Sequence, residues 1–404
     1  MGRIDTIKNH LSYLFLREGE IDKKKAKLHD LRHFVRDREL DKAIKEKFPL
    51  HDFGKLTDDI DIKGTKDLLD LFDEIDDKKY DILETLENIE YIGVSHDSEI
   101  IIKFSDDIKG VGVYNFTFDF FEELFDMGKY AKFCIKNGLN DLLKENLLKL
   151  LEEFKTIEKQ FRLLDKNDTT YIRAITSTRY NNYDNHLAIY LILLSLHKLV
   201  SEEKISIYVK EAHISDSALR IIFEQEEPIR VEGVGQVYFG FLVSNGEIRD
   251  SKFTFEMRYR IIDGDNDKGI SFAAIPNLEE AVFNIQHSTG VDNVISKLNN
   301  INNIHNIKYS MLEYIEGIKK VNKLSDNIIY LMRNKIKYSK LKDLKYETKD
   351  NFNILYEKNM INNTMTLIEG FGKINEITTD VEERIYLERI YHDIIKDLVD
   401  RQKG

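Results

Sequence analysis

The chain has 404 residues, 42% of them hydrophobic and 33% charged, which suffices to bury roughly two or three ordinary cores and sets it apart from a disordered polymer. A formal charge of −12 argues against indiscriminate polyanion binding, although the local field at a groove decides such contacts. With a single cysteine, Cys134, the chain can form neither an intramolecular disulfide nor a one-chain thiolate metal cluster, so a reducing cytoplasm is the expected compartment.

In chain order, residues 1–65 read as an N-terminal helical region. Ile4, Ile7, Leu11, Leu14 and Phe15 recur at helical spacing, as do Leu28, Leu31, Phe34 and Val35. No long apolar run precedes the return of charge, so no export signal is expected. Residues 66–170 alternate helical stretches (DLLDLFDEIDD, KENLLKLLEEFKTIEKQFRLL) with β-type runs (SEIIIKFS, VGVYNFTF), a mixed α/β region. Cys134 reads as a small buried apolar residue.

Residues 171–290 read as the core. HLAIYLILLSLHKLV at 186–200 is shorter than the roughly 20 residues needed to span a bilayer and predicts a buried helix, with no membrane partner. ISIYVKEAHIS, ALRIIFEQ, QVYFGFLVSNG and KFTFEMRYRII then predict about four sequential antiparallel strands. From 277 the pattern turns helical, and 291–404 predicts a long helical arm. The expected class is α+β.

Charge is segmented. Residues 51–100 carry 5 Lys+Arg against 16 Asp+Glu, and 301–350 carry 11 against 6. An acidic block of this kind reads as a solvated face or as a recognition surface for a protein partner. The run RNKIKYSKLKDLK brings Lys335, Lys337, Lys340, Lys342 and Lys345 together with Tyr338. On one helix these lysines spread over more than one side, so the run favours a solvated surface over a nucleic-acid stripe.

The runs RAITSTRYNNYDN, YFGFLVSNGEI, FEMRYRI and IQHSTG, in this order over roughly 115–300, resemble the phage- and plasmid-like protein family catalogued as domain of unknown function 932. The resemblance places the family's motif positions on Arg173, Arg179, Tyr180, Asp184 and Asn185, then on Ser244, Asn245, Glu247, Arg260 and His287. Two departures stand out: DGDNDKG replaces the family's Cys-Thr-Asn-Gly turn, and Gln286 replaces a basic residue. The resemblance implies a mobile-element protein in a bacterial cytoplasm.

Arginine suits phosphate because its planar fork donates paired hydrogen bonds and keeps its charge. Arg258 and Arg260 share a strand face, flanking Tyr259 on the other. With Arg173, Arg179, Tyr180 and His287, and with Tyr183 also available to stack, they make the candidate nucleic-acid surface. Asp184, Asn185, Asn245 and Glu247 make the candidate structural turns. The alternative is that these arginines pair with Glu247, Glu256 or Asp184 and only hold turns together. The function expected is non-catalytic binding of single-stranded DNA in recombination or replication, with a homo-oligomer expected by fold-level analogy to annealing proteins.

A protein-binding inhibitor or scaffold, using the acidic block, is the alternative from another class. A third reading rests on FPLHDFGK, which resembles the His-Asp core of HD phosphohydrolases. It would make metal ligands of His51 and Asp52 with His29 or His33, against the helix-breaking effect of Pro49. No GxxxxGK[ST] loop is present, and GVGQVYFG lacks the strand-and-helix context of a dinucleotide fingerprint, so no cofactor is expected.

Overall fold

The computed structural model describes residues 10–248, 252–262, 271–276, 283–299, 301, 304–318, 326–359 and 370–400. It is α+β, with two sheets that are largely antiparallel and a helical C-terminal region. The N-terminal segment supplies β1 (Tyr13–Leu16), α1 (Glu39–Lys47), β2 (Ile62–Lys63) and α2 (Thr65–Ile75).

The first sheet has six strands: β3 (Lys78–Thr85), β4 (Glu90–Val94), β5 (Ile100–Lys103), β6 (Lys109–Gly112), β7 (Glu158–Lys166) and β8 (Thr169–Thr176). Their order is β3-β7-β8-β6-β5-β4. Helices α3 (Phe116–Phe125), α4 (Gly128–Lys136) and α5 (Asn140–Glu153) link β6 to β7. They bury one face of the sheet around Phe120, Phe161 and Leu163, and Cys134 is buried in this core.

The second sheet follows α6 (Asn185–Glu203). Its strands are β9 (Ile207–Ser215), β10 (Ala218–Gln225), β11 (Ile229–Val231), β12 (Gly235–Gly246), β13 (Phe253–Ile262), β14 (Ser271–Ala274) and β15 (Phe283–Ile285). With β1 and β2 both paired to β9, the sheet has nine strands among the described residues. A helix apolar on all sides belongs inside a core. Accordingly α6 packs on the apolar face, where Ile221–Val243–Phe255 and Phe223–Phe241–Met257 run as cross-strand rows. Helices α7 (Val291–Asn299), α8 (Ile304–Ile318), α9 (Asp326–Lys337) and α10 (Tyr346–Asn359) follow, and the closing helix is Val381–Asp400.

The other face of the nine-stranded sheet is largely polar around an apolar strip of Ile222 and Leu242. Its rows read Arg220–Ser244–Thr254, Glu224–Gly240–Arg258 and Tyr238–Arg260. Gly240 is small for a reason: a Cβ there would strike the Phe223 carbonyl oxygen on the neighbouring strand. Backbone cannot step aside as a side chain can, so Gly240→Ala is expected to cost about 1–3 kcal/mol, the range of an overpacked core. Urea unfolding followed by circular dichroism checks it.

Several sequence expectations change. Leu14 and Phe15 lie on strand β1, because pairing with β9 outweighs a spacing that fits a helix equally well. Ile4 and Ile7 lie outside the described residues. The stretch read as one helix from 144 to 164 breaks after Glu153 and continues as β7, and VGVYNFTF divides between β6 and α3. The sheet of about four strands is larger because two distant N-terminal segments pair with β9 and three short strands, β11, β14 and β15, pair with β12 and β13. Strand β8, which carries the first family-like motif, pairs with β7 in the six-stranded sheet, so a boundary at 170/171 cuts a hairpin. β15 interrupts the region read as helical from 277.

Candidate nucleic-acid interface

Five of the motif residues, Arg173, Asp184, Asn185, Asn245 and Glu247, meet at the seam between the sheets. Arg173 on β8 donates from Nη1 to Glu247 Oε2 at 2.7 Å and to the Asp216 carbonyl at 2.9 Å. Arg162 on β7 donates to Asp184 Oδ1 at 2.6 Å, to Asp81 at 3.0 Å and to the Glu247 carbonyl at 2.6 Å. Glu247 Oε1 also accepts from Lys79 at 3.0 Å and from the Asn185 amide at 2.9 Å. Asn245 donates to Asn185 at 2.9 Å and to the Tyr183 carbonyl at 3.0 Å. At the start of α6, Arg38 bonds Asp184 at 2.6 Å and Asp41 at 2.8 Å.

Arg38, Lys79, Arg162 and Arg173 thus face Asp41, Asp81, Asp184 and Glu247, four cations against four carboxylates. Such a neutral buried cluster holds the sheets in register but has no field to offer a polyanion. Burial alone would push the Asp184 carboxyl up, but Arg162 and Arg38 hold it well below the usual carboxylate range. Burial likewise opposes ionisation of Glu247, yet Lys79, Arg173 and Arg162 bring it down to about 2.

Tyr180 stacks on His287 with ring centroids 4.8 Å apart and planes 7° apart, and Tyr183 is buried with its hydroxyl donating to the Thr289 carbonyl. The Asn181 amide donates to the His287 carbonyl at 2.6 Å. Burial and the Arg162 charge lower the His287 pKa, so this imidazole is neutral rather than a phosphate-holding cation. Arg179 alone of the motif arginines is exposed. DGDNDKG lies outside the described residues, while Gln286, beside the stack, is exposed.

Arg258 and Arg260 do share a strand face, but it is a covered one. Arg258 makes a paired contact with Glu388 of the closing helix, both bonds 2.9 Å, and Arg260 a paired contact with Glu224 at 2.9 and 2.5 Å. Arg220–Glu382, Arg384–Glu211 and Arg389–Glu256 fasten the same helix along the sheet. Burial raises the Glu224 pKa, and bonding to Arg260 together with the Lys210 charge more than reverses this, to about 2. The guanidinium face expected to be open is therefore a helix-docking surface. Beside it lies a cleft of about 320 Å³ lined by Glu18, Lys23, Lys63, Tyr208, Lys210 and Glu226. Its lysines are already matched: Lys23 and Lys63 to Glu226, Lys210 to Glu18 and Glu224.

The phosphohydrolase residues do not converge. His29 bonds the Leu56 carbonyl, His33 bonds Asp73 at 2.8 Å, and His51 and Asp52 lie exposed in a single 3-10 turn after Pro49. Among the described residues no group of three or more His, Cys, Asp or Glu is placed to hold a metal ion. Part of the acidic block is matched as well. Asp59 pairs with Lys27, Asp61 with Lys25, Asp70 with Lys66, Asp76 with Arg36 and Asp77 with Lys166. These pairs spend part of its charge within the N-terminal segment, along α2 and on β7, which leaves less for a protein partner.

The basic run at 333–345 folds differently from one helix. α9 ends at Lys337, a tight turn closes with the Asp343 and Leu344 amides bonded to the Lys340 carbonyl, and α10 starts at Tyr346. Lys349 donates to the Ser339 carbonyl at 2.5 Å and to the Lys337 carbonyl at 3.3 Å, clasping the two helix ends. Lys335 and Lys345 pair with Asp393 and Asp380. Lys337, Lys340 and Lys342 are exposed and form no ion pair among the described residues. Over 333–349 the chain carries 7 Lys+Arg against 2 Asp+Glu. A corner of this kind concentrates positive charge that a straight helix would spread.

Among the described residues no helix is long and apolar enough to cross a membrane. Comparison with protein-family models, with curated proteins and with solved structures returns no match. The resemblance to the phage- and plasmid-like family therefore rests on its short motifs, and half of the motif positions serve the inter-sheet seam.

Proposed function

We propose that this chain is a non-catalytic nucleic-acid-binding protein of a phage or plasmid, related to the family its motifs resemble, that engages single-stranded DNA in recombination or replication. The contact surface in this reading is the corner at 337–349, not the sheet arginines. The observation that carries it is the contrast in pairing: Arg173, Arg258 and Arg260 are each held by a glutamate, whereas Lys337, Lys340 and Lys342 stand exposed with no carboxylate paired to them among the described residues. Exposed, unpaired ammonium groups are what phosphates displace counterions from.

Anisotropy of a labelled oligo-dT across a salt series tests the reading. Binding at low salt that weakens steeply as salt rises is expected. The triple substitution Lys337→Gln, Lys340→Gln, Lys342→Gln should lower the salt slope by about 2, since each phosphate contact on a single strand contributes about 0.7. No binding by the unaltered protein at the lowest salt would overturn the proposal.

A further inference from the structure

The same corner carries aromatic rings that charge alone does not explain. Tyr338 is 73% exposed, Tyr346 70% and Tyr330 66%, and Leu341 between the first two is 48% exposed. Rings of this size contribute most to stability when buried, as Tyr183, Tyr190, Tyr259 and Tyr391 are; among the described tyrosines outside this corner only Tyr309, at 59%, is comparably exposed. Tyr330 and Lys337 are seven residues apart on α9 and so share one helix face, with Arg333 and Asn334 between them. The Lys337 ammonium lies 5.6 Å from the Tyr338 ring centroid. Tyr346 and Lys349 are one helical turn apart, and the Lys349 contacts to Lys337 and Ser339 bring Tyr346 to the same corner as Tyr338. Among the described residues, neither Tyr338 nor Tyr346 stacks on another ring.

We infer that this corner selects single-stranded over duplex nucleic acid by stacking unpaired bases on Tyr338 and Tyr346 while Lys337, Lys340 and Lys342 hold the phosphates. This rests on the nucleic-acid reading above. A duplex presents its phosphates to the lysines but keeps its bases stacked inside, so it gains only the charge contribution. A single strand gains both, and every base has a face to stack, which makes the preference one for strandedness and not for sequence. Lys337, placed against Tyr338, would add its charge at the stacked base.

The full chain is titrated into labelled oligo-dT, oligo-rU, an abasic strand of equal length and a duplex. The unaltered protein is expected to bind oligo-dT or oligo-rU at least about tenfold more tightly than the abasic strand or the duplex. The two oligonucleotides decide between DNA and RNA as the natural source of the strand. The double substitution Tyr338→Ala, Tyr346→Ala should erase that preference and leave duplex affinity unchanged, whereas the triple lysine substitution weakens every probe. Because the chain has no tryptophan, Tyr338→Trp gives a single reporter whose emission should be quenched by oligo-dT and not by the abasic strand.

Equal affinity for oligo-dT and the abasic strand, or saturated binding of oligo-dT without quenching, overturns the stacking inference while the nucleic-acid reading stands. Absence of binding to every probe overturns both.

Discussion

Glu247→Ala is expected to destabilise the protein by about 3–5 kcal/mol, the cost of removing one partner from a buried charged pair. Glu247 has no exposed surface and accepts from Arg173, Lys79 and the Asn185 amide, so its loss strands two buried cations and one backbone donor together. Glu247→Gln keeps the shape and an acceptor for Asn185 and should cost less. Urea midpoints for the two variants check the order. Equal, near-zero losses would mean that the seam does not hold the sheets, and that Arg173 is free for another role.

The second large effect is acid sensitivity. Glu211, Glu224 and Glu247 each titrate at about 2 in the folded protein against an ordinary 4.5, since their cationic neighbours outweigh the burial that would raise them. For a depressed carboxylate the unfolded chain binds the proton first. The stabilisation is therefore fully present above about pH 4.5 and is lost as pH falls toward 2. His186 and His287, whose pKa values burial lowers, act in the same direction below their ordinary 6.5, because the unfolded chain takes up protons that the folded imidazoles refuse. Summed over the three glutamates the loss is on the order of several kcal/mol. The urea midpoint should decline gently below pH 6.5 and steeply below pH 4.5. A midpoint unchanged between pH 6 and pH 3 would contradict the buried ion pairs.

Much of the fold is legible in the sequence where one period dominates. Strands β9, β10, β12 and β13 fall where alternation and β-branched content place them, and α6 where an all-round apolar run does. The misplacements occur where two periods fit the same residues. Leu14 and Phe15 suit a helix until an edge of β9 offers hydrogen bonds, and residues 158–164 continue a helical spacing although they pair with β3 and β8.

The arginines illustrate a different limit. That Arg258 and Arg260 share a face follows from strand geometry, but what covers them does not: Glu388 is 130 positions away from Arg258, and Lys79 is 168 away from Glu247. A Glu-Arg pair at 388–389, following Glu382 and Arg384 on a helix with Val381 and Ile385 inward, is the signal that could have shown it, since that helix needs a charged surface to dock on. At 333–349 the opposite happened. The lysines looked scattered on one helix, and only the turn between α9 and α10 gathers them with Tyr338 and Tyr346.

Amide hydrogen exchange of the full chain, with and without saturating oligo-dT, is the most direct measurement of where nucleic acid meets this protein. Slowed exchange centred on 337–349 and unchanged exchange in β10 and β13 are expected. Slowed exchange in β13 and the closing helix with none at 337–349 would return the role to Arg258 and Arg260, and no change anywhere in the chain would contradict nucleic-acid binding altogether.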